Sequence, residues 1–172
     1  MDSNNTILSI ENLKVYFYND YGQELKAVDD ISFQVYRGET IALVGESGCG
    51  KSVTSLALLR LIDSNGKIVD GKIHFNNSNL LSLSEKQMQS IRGKDISMIF
   101  QEPSSALNPV YTIGDQIIEA IILHQKVSRY EARKRAVEMF KLVGIPDPEK
   151  RLNEYPHELS GGMKQRGMIA MA

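Results

Sequence analysis

The chain has 172 residues, 42% of them hydrophobic, enough for one domain with a core and too few for two ordinary ones. Lys plus Arg number 20 against 21 Asp plus Glu, a formal net charge of −1, so no whole-chain basic field favours nucleic acid or an anionic membrane as a partner. A single cysteine excludes an intramolecular disulfide scaffold and fits a reducing compartment. With Asp2 near the start and no Lys or Arg before Lys14, the opening lacks the pattern of a cleaved export signal. The most apolar runs, Ile41 to Val44 and Ile117 to Leu123, fall well short of the ~20 residues of a membrane span. The expectation is a soluble chain whose membrane contact comes through a partner.

From Ile7 to Tyr18, Leu13, Val15 and Phe17 alternate with Lys14, Tyr16 and Tyr18, the pattern of a half-buried strand. A polar turn over residues 19–23 leads to a second strand near Leu25 to Val28. Ile31, Phe33 and Val35 then alternate with Ser32 and Gln34, so the opening reads as an antiparallel meander. Thr40 to Val44 is apolar without alternation, which predicts a strand covered on both faces and hence a parallel α/β sheet. The loop Gly45 to Ser52 follows, and Val53, Leu56, Ala57 and Leu59 to Leu61 then recur at helical spacing.

Further strands are predicted at Ile68 to Phe75 and Ile96 to Phe100, with a helix between them opened by a Ser84 and Gln87 capping box. Glu102 to Pro109 reads as a loop and Ile113 to His124 as a helix. Ser128 with Glu131 opens another helix, which Gly144 should end with Pro146 just beyond.

The string GESGCGKS, Gly45 to Ser52, matches G-x-x-x-x-G-K-[ST] in the context that pattern requires, an apolar run before it and a helix after. Gly45, Gly48 and Gly50 let the backbone wrap a phosphate chain with successive N–H groups turned inward. Lys51 is suited to the β- and γ-phosphates and the Ser52 hydroxyl to Mg²⁺. Glu46, Ser47, Cys49 and Val53 contribute through the backbone. A second anion site is suggested by LSGGM, Leu159 to Met163, where Ser160, Gly161 and Gly162 precede a helix.

These two motifs, with Phe100-Gln101 between them, resemble the ATP-binding cassette ATPases, whose signature reads LSGGQ. A closer resemblance, over essentially the whole chain, is to the ATP-binding subunits of oligopeptide and dipeptide importers. It is carried by VGESGCGKS, MIFQEPSSALNPVYTIGDQI and VGIPDPEKRLNEYPHELSGGMKQR in this order. Met163 departs from LSGGQ in the manner of that branch.

The resemblance implies a P-loop α/β fold: an antiparallel β subdomain and phosphate-loop core over about 1–100, a Q-loop and helical subdomain over about 101–160, and a signature helix over 160–172. It implies ATP and Mg²⁺ as ligands, with Gln101 reaching the Mg²⁺ and water region and linking nucleotide to the membrane partner. Phe17 would stack on adenine, and Ser160, Gly161, Gly162 and Met163 would face the nucleotide of a second ATPase subunit. Further implied partners are permease subunits and, indirectly, a substrate-binding protein, at the cytoplasmic face of the membrane.

Members of that family continue past the signature with a Walker B strand, a D-loop and a switch His. Ala172 is the last residue here, and His74, His124 and His157 all lie before the signature. The expectation is that these residues alone bind nucleotide weakly or not at all and do not hydrolyse it. That leaves a non-hydrolytic nucleotide-binding or docking fragment as the alternative. A cassette ATPase acting on nucleic acid is disfavoured, because Arg129, Arg133, Lys134 and Arg135 are interleaved with Glu131 and Glu138.

Overall fold

Alternation produces the first element: β1 (Thr6–Tyr18) buries Ile10, Leu13 and Val15 and pairs antiparallel with β2 (Glu24–Tyr36) on one edge and β3 (Gly66–Phe75) on the other. The computed structural model describes residues 5–172 as two compact units, one ending at Gln89 and the other beginning at Ser90. In the first, β4 (Ser78–Asn79) extends the sheet to the order β2-β1-β3-β4, and α1 (Lys51–Leu58) packs against β1 and β2. The two stretches predicted at 25–28 and 31–35 form one strand. Its irregularity near Asp30 faces a matching one near Asn12, whose side-chain amide donates to Asp30 Oδ1 at 2.9 Å. The predicted capping box opens α2 (Glu85–Ile91): Ser84 N–H donates to Gln87 Oε1 at 2.8 Å and Gln87 N–H to Ser84 Oγ at 3.4 Å.

Two predicted strands are absent, and with them the parallel core sheet. Residues 40–44 form no strand, and Ile41, Leu43 and Val44 are 38%, 43% and 93% exposed. Apolar side chains do not supply hydrogen-bond partners: a strand covered on both faces needs a neighbour on its edges, and among the described residues none pairs with this run. Ile96 to Phe100 likewise contributes one isolated parallel bridge, Arg92 with Ile96, and leaves Ile99 48% exposed. The sheet among the described residues is wholly antiparallel.

The second unit is helical. The predicted loop at 102–109 contains the short α3 (Pro103–Ala106), with proline at its first turn. α4 (Ile113–Gln125) and α5 (Arg129–Leu142) pack around Ile113, Ile117, Ile121, Ala136 and Phe140, joined by α6 (Pro148–Arg151) and α7 (Gly161–Met171). At α5 half of the expected capping box forms: Glu131 N–H donates to Ser128 Oγ at 3.2 Å, but the Glu131 carboxylate pairs instead with Arg135 one turn on. The helix ends as predicted at Gly144, φ 72°. Gly144 N–H donates to Lys141 O at 3.0 Å and Ile145 N–H to Phe140 O at 2.9 Å, the paired bonds of a Schellman ending.

The start of α4 is fastened by main chain. Ile113 N–H donates to Glu154 O and Gly114 N–H to Leu152 O, each at 2.9 Å. A Cβ at Gly114 would stand 2.3 Å from the Leu152 carbonyl oxygen. Gly114→Ala should therefore destabilise the second unit by about 1–3 kcal/mol through overpacking, read as a lower urea midpoint at unchanged slope.

Candidate functional site

The loop over residues 45–52 is built from a turn and a helix start. Cys49 N–H donates to Glu46 O at 3.3 Å, and Gly50, at φ 92°, is the N-cap of α1. No side chain caps this helix. Gly50 O accepts from both Thr54 N–H at 2.8 Å and Thr54 Oγ at 3.0 Å, and Thr54 is buried. A Cβ at Gly50 would lie 2.3 Å from Ala27 O on β2, so glycine is demanded twice, by the left-handed backbone and by the neighbouring strand.

Lys51 Nζ turns back over the loop, donating to Gly45 O at 2.8 Å and Glu46 O at 2.7 Å, with Cys49 Sγ at 3.3 Å. Two main-chain carbonyls and a thiol are neutral partners, so no carboxylate among the described residues compensates the charge of Lys51, which is available to an anion. Residues 45–49 and Ser52 are exposed and Val53 is half-buried. An open loop with an ammonium above it, at an N-terminus that no side chain caps, fits a phosphate chain. The Ser52 hydroxyl, in the first turn of α1, fits a Mg²⁺ ion that takes its remaining ligands from phosphate and water. Among the described residues no group of three or more His, Cys, Asp or Glu side chains is assembled for a metal.

Phe17 is half-buried on β1, opposite Leu25 on one side and Gly66 on the other. A Cβ at Gly66 would come within 2.7 Å of the Phe17 ring, so glycine there makes room for it. The adjoining β1–β2 pairing is fastened by Tyr16, whose hydroxyl donates to Asp29 Oδ1 at 2.7 Å while Lys26 Nζ stands 3.6 Å from Asp29 Oδ2. The hydrogen bond from Tyr16 holds the Asp29 carboxyl below the usual carboxylate range, and the same bond raises the Tyr16 hydroxyl. The charge of Asp29 raises Lys26.

In the second unit, Gln101 is exposed in a bend before α3. Ser160 caps α7, accepting Met163 N–H on Oγ at 3.3 Å. The Met163 side chain packs against the apolar cluster of the helices, which accounts for an apolar residue where LSGGQ has glutamine. Gly161 and Gly162 are exposed, neither has a positive φ, and a Cβ on either would meet nothing within 4 Å.

Three contributors escaped the sequence reading. Ala27 acts through its carbonyl, for which residue type carries no signal. Thr54 stands four residues after Gly50, a spacing at which a threonine hydroxyl back-bonds to a helix carbonyl. Arg166 donates from Nη1 to Gly144 O at 2.8 Å, a contact across 22 residues that no local pattern encodes.

The sequence profile of the family described as ABC transporter matches residues 28–172. The dipeptide transport ATP-binding protein DppD of Bacillus subtilis (strain 168) is 54% identical over 167 residues, 96% of this chain and 50% of that protein. The oligopeptide transport ATP-binding protein OppD of the same organism is 51% identical over 96% of this chain and 46% of its own length. DppD of Escherichia coli (strain K12) is 49% identical over 96% and 50%. The chain thus spans about half the length of the curated relatives it matches. Among solved structures, a dimeric post-hydrolysis state of the ATP-binding cassette MJ0796 bound to ADP and Pi superimposes with a TM-score of 0.83 at 26% identity, covering 95% of this chain and 68% of that one.

Gly50→Ala should abolish measurable binding of a fluorescent ATP analogue, because the added methyl forces the loop off Ala27; Gly48→Ala, where a Cβ meets nothing within 4 Å, should cost only the strain of its φ of +83° and weaken binding less. In Asp29→Asn, the Tyr16 resonance followed by NMR should titrate lower, back toward the ordinary 10.0. The sign follows from linkage: a lowered Asp29 contributes above the ordinary 3.8, and a raised Tyr16 contributes below 10.0. The stabilising effect of the pair therefore spans that window and fades as pH leaves it on either side.

Proposed function

We infer the function from one premise: this chain belongs to the ABC transporter family. On that premise it is an ATP-binding subunit of an importer, coupling ATP binding and hydrolysis to the uptake of peptides. Half-identity over 96% of the chain to proteins named for dipeptide and oligopeptide transport supports the substrate class. No helix among the described residues is long and apolar enough to cross a membrane. The partners of this reading are permease subunits, with a substrate-binding protein delivering cargo to them. The subunit works at the cytoplasmic face.

The residues divide the work by their chemistry. The backbone of 45–50 wraps the phosphates, Lys51 neutralises their charge, and the half-buried ring of Phe17 offers adenine a stacking face. The Ser52 hydroxyl would hold Mg²⁺, the ion toward which the family resemblance also assigns Gln101. When bound, that ion draws charge from the phosphate oxygens and orients the attacking water. Hydrolysis also needs a group that accepts a proton from water. The phosphate loop and the signature hold phosphate through amine, hydroxyl and backbone N–H groups. We therefore assign nucleotide contact to residues 1–172 and turnover to the whole protein.

The observation that carries the two-subunit reading is the pair Gly161 and Gly162. Neither glycine is required by its own backbone or by any neighbour within this chain. What excludes a side chain there is a group that approaches from outside: the terminal phosphate of a nucleotide held by the phosphate loop of a second ATPase subunit. The dimeric form in which the MJ0796 cassette was solved supports the same arrangement.

In the full-length protein, Gly161→Ala should leave the urea midpoint and single-subunit nucleotide affinity unchanged while ATP turnover falls roughly 100-fold, the scale on which losing one transition-state hydrogen-bond donor acts. Lys51→Ala should abolish both turnover and peptide uptake in the source cell. Wild-type turnover in Gly161→Ala would refute the two-subunit site, and peptide uptake that survives Lys51→Ala would refute the importer assignment.

A further inference from the structure

The signature helix has an exposed N-terminal turn, preceded by the buried Leu159. Over the first six residues of α7, Gly161, Gly162, Gln165 and Arg166 are exposed and Met163 and Lys164 half-buried; full burial begins at Gly167 and Met168. Gly167 is seated against Ile113, where an added Cβ would stand 3.2 Å from Cδ1. N-terminal to that seat, the described residues provide three holds: Leu159 and Met163 in the apolar cluster, and the Arg166 guanidinium on Gly144 O at 2.8 Å.

The last of these holds has a particular geometry. Gly144 is the left-handed residue that ends α5, so its carbonyl lies at the negative end of that helix, where a cation is favoured. A Cβ at Gly144 would stand 3.4 Å from Arg166 Nη1, so glycine keeps the approach clear. Arg166 lies six residues past Ser160, roughly 9 Å along the helix axis at 1.5 Å per residue. Freed of this hold, the start of α7 keeps its apolar anchors at Leu159 and Met163 but loses its polar tie to the end of α5, so that Ser160 to Gly162 can shift against that helix.

We propose that Arg166 is a positioning residue for the signature: by tying α7 to the end of α5 it fixes where Ser160, Gly161 and Gly162 meet the nucleotide of the partner subunit. This rests on the two-subunit reading above. Arg166 touches neither substrate nor reacting atoms and acts through the orientation of the helix.

The test uses the full-length protein, wild type against Arg166→Ala and Arg166→Lys. Three readouts are taken: affinity of the single subunit for a fluorescent ATP analogue, the ATP-dependent self-association midpoint, and the thermal transition. Arg166→Ala should raise the association midpoint about tenfold, the scale of one lost hydrogen bond from a charged donor. Its single-subunit affinity should stay within about twofold of wild type. Arg166→Lys keeps the charge and much of the reach, and should recover most of the loss.

Wild-type association in Arg166→Ala overturns the proposal. So does a parallel loss of single-subunit affinity and thermal stability in both variants, which marks a general structural role. If Arg166→Ala fails to fold, Arg166→Lys decides: association within about threefold of wild type sustains the tether, and a larger loss overturns it. Absence of ATP-driven association in the wild type, with Gly161→Ala also without effect on turnover, overturns the two-subunit reading and the tether with it. The other adverse outcomes overturn the tether alone.

Discussion

Every helix begins with backbone N–H groups that have no partner inside the helix, and how each start is satisfied organises this molecule. α4 gives its first N–H groups to the carbonyls of Leu152 and Glu154, α5 gives one to Ser128 and α7 one to Ser160. At α1 the N-cap is Gly50, which has no side chain with which to cap. The three capped helices build a scaffold from their ends. The start of α1 instead faces an exposed loop with Lys51 folded over it, and the arrangement is completed by an anion.

The glycines separate structure from function along the same line. Gly50 and Gly114 are enforced from within, by carbonyl oxygens of Ala27 and Leu152 that leave no room for a methyl group. Gly161 and Gly162 meet nothing and hold unremarkable backbone angles. A residue type with an internal reason says how the chain folds. One without such a reason points outward, to whatever must come close. This contrast is what supports reading the start of α7, by itself a common feature, as a contact site for a second molecule.

Much of this was legible from the sequence because it is local. Alternation placed β1, and spacing placed α4 and α5. The end of α5 followed from Gly144, because the left-handed turn of a Schellman ending selects glycine within a few residues of the bonds it makes. What the sequence misjudged depends on partners far along the chain. Thr40 to Val44 reads as a buried parallel strand by side-chain character, yet pairing is a property of neighbours, and none meets it among the described residues. Glu131 had two electrostatic outlets, the Ser128 N–H and Arg135, and spacing alone did not rank them. Of the site, the phosphate loop and the Ser160 cap could be read directly, because both are contiguous motifs. The Gly50 to Ala27 contact and the Arg166 tether could not, since each joins segments about twenty residues apart.

The two anion-binding ends also differ in strength, and the difference sets an order of events. The phosphate loop combines a helix start with the charge of Lys51, whose partners there are two main-chain carbonyls and a thiol. Ser160, Gly161 and Gly162 bring a helix start, with the half-buried Lys164 as the cation of the same turn. The Arg166 cation five to six residues along is already engaged by Gly144 O. A helix end alone contributes about 0.3–1 kcal/mol toward an anion, too little to recruit a hydrated nucleotide from solution. On the two-subunit reading, the signature acts second, on a phosphate chain that another subunit's loop has already bound and oriented. For so weak a contact to register, its donors must be held in place beforehand, because each degree of freedom left to the end of α7 subtracts from a small favourable term. The N-cap at Ser160, the buried side of Met163 and the tie at Gly144 all restrict that same freedom. On that reading, the rigidity of the helical unit is what allows so weak an anion site to take part in binding ATP.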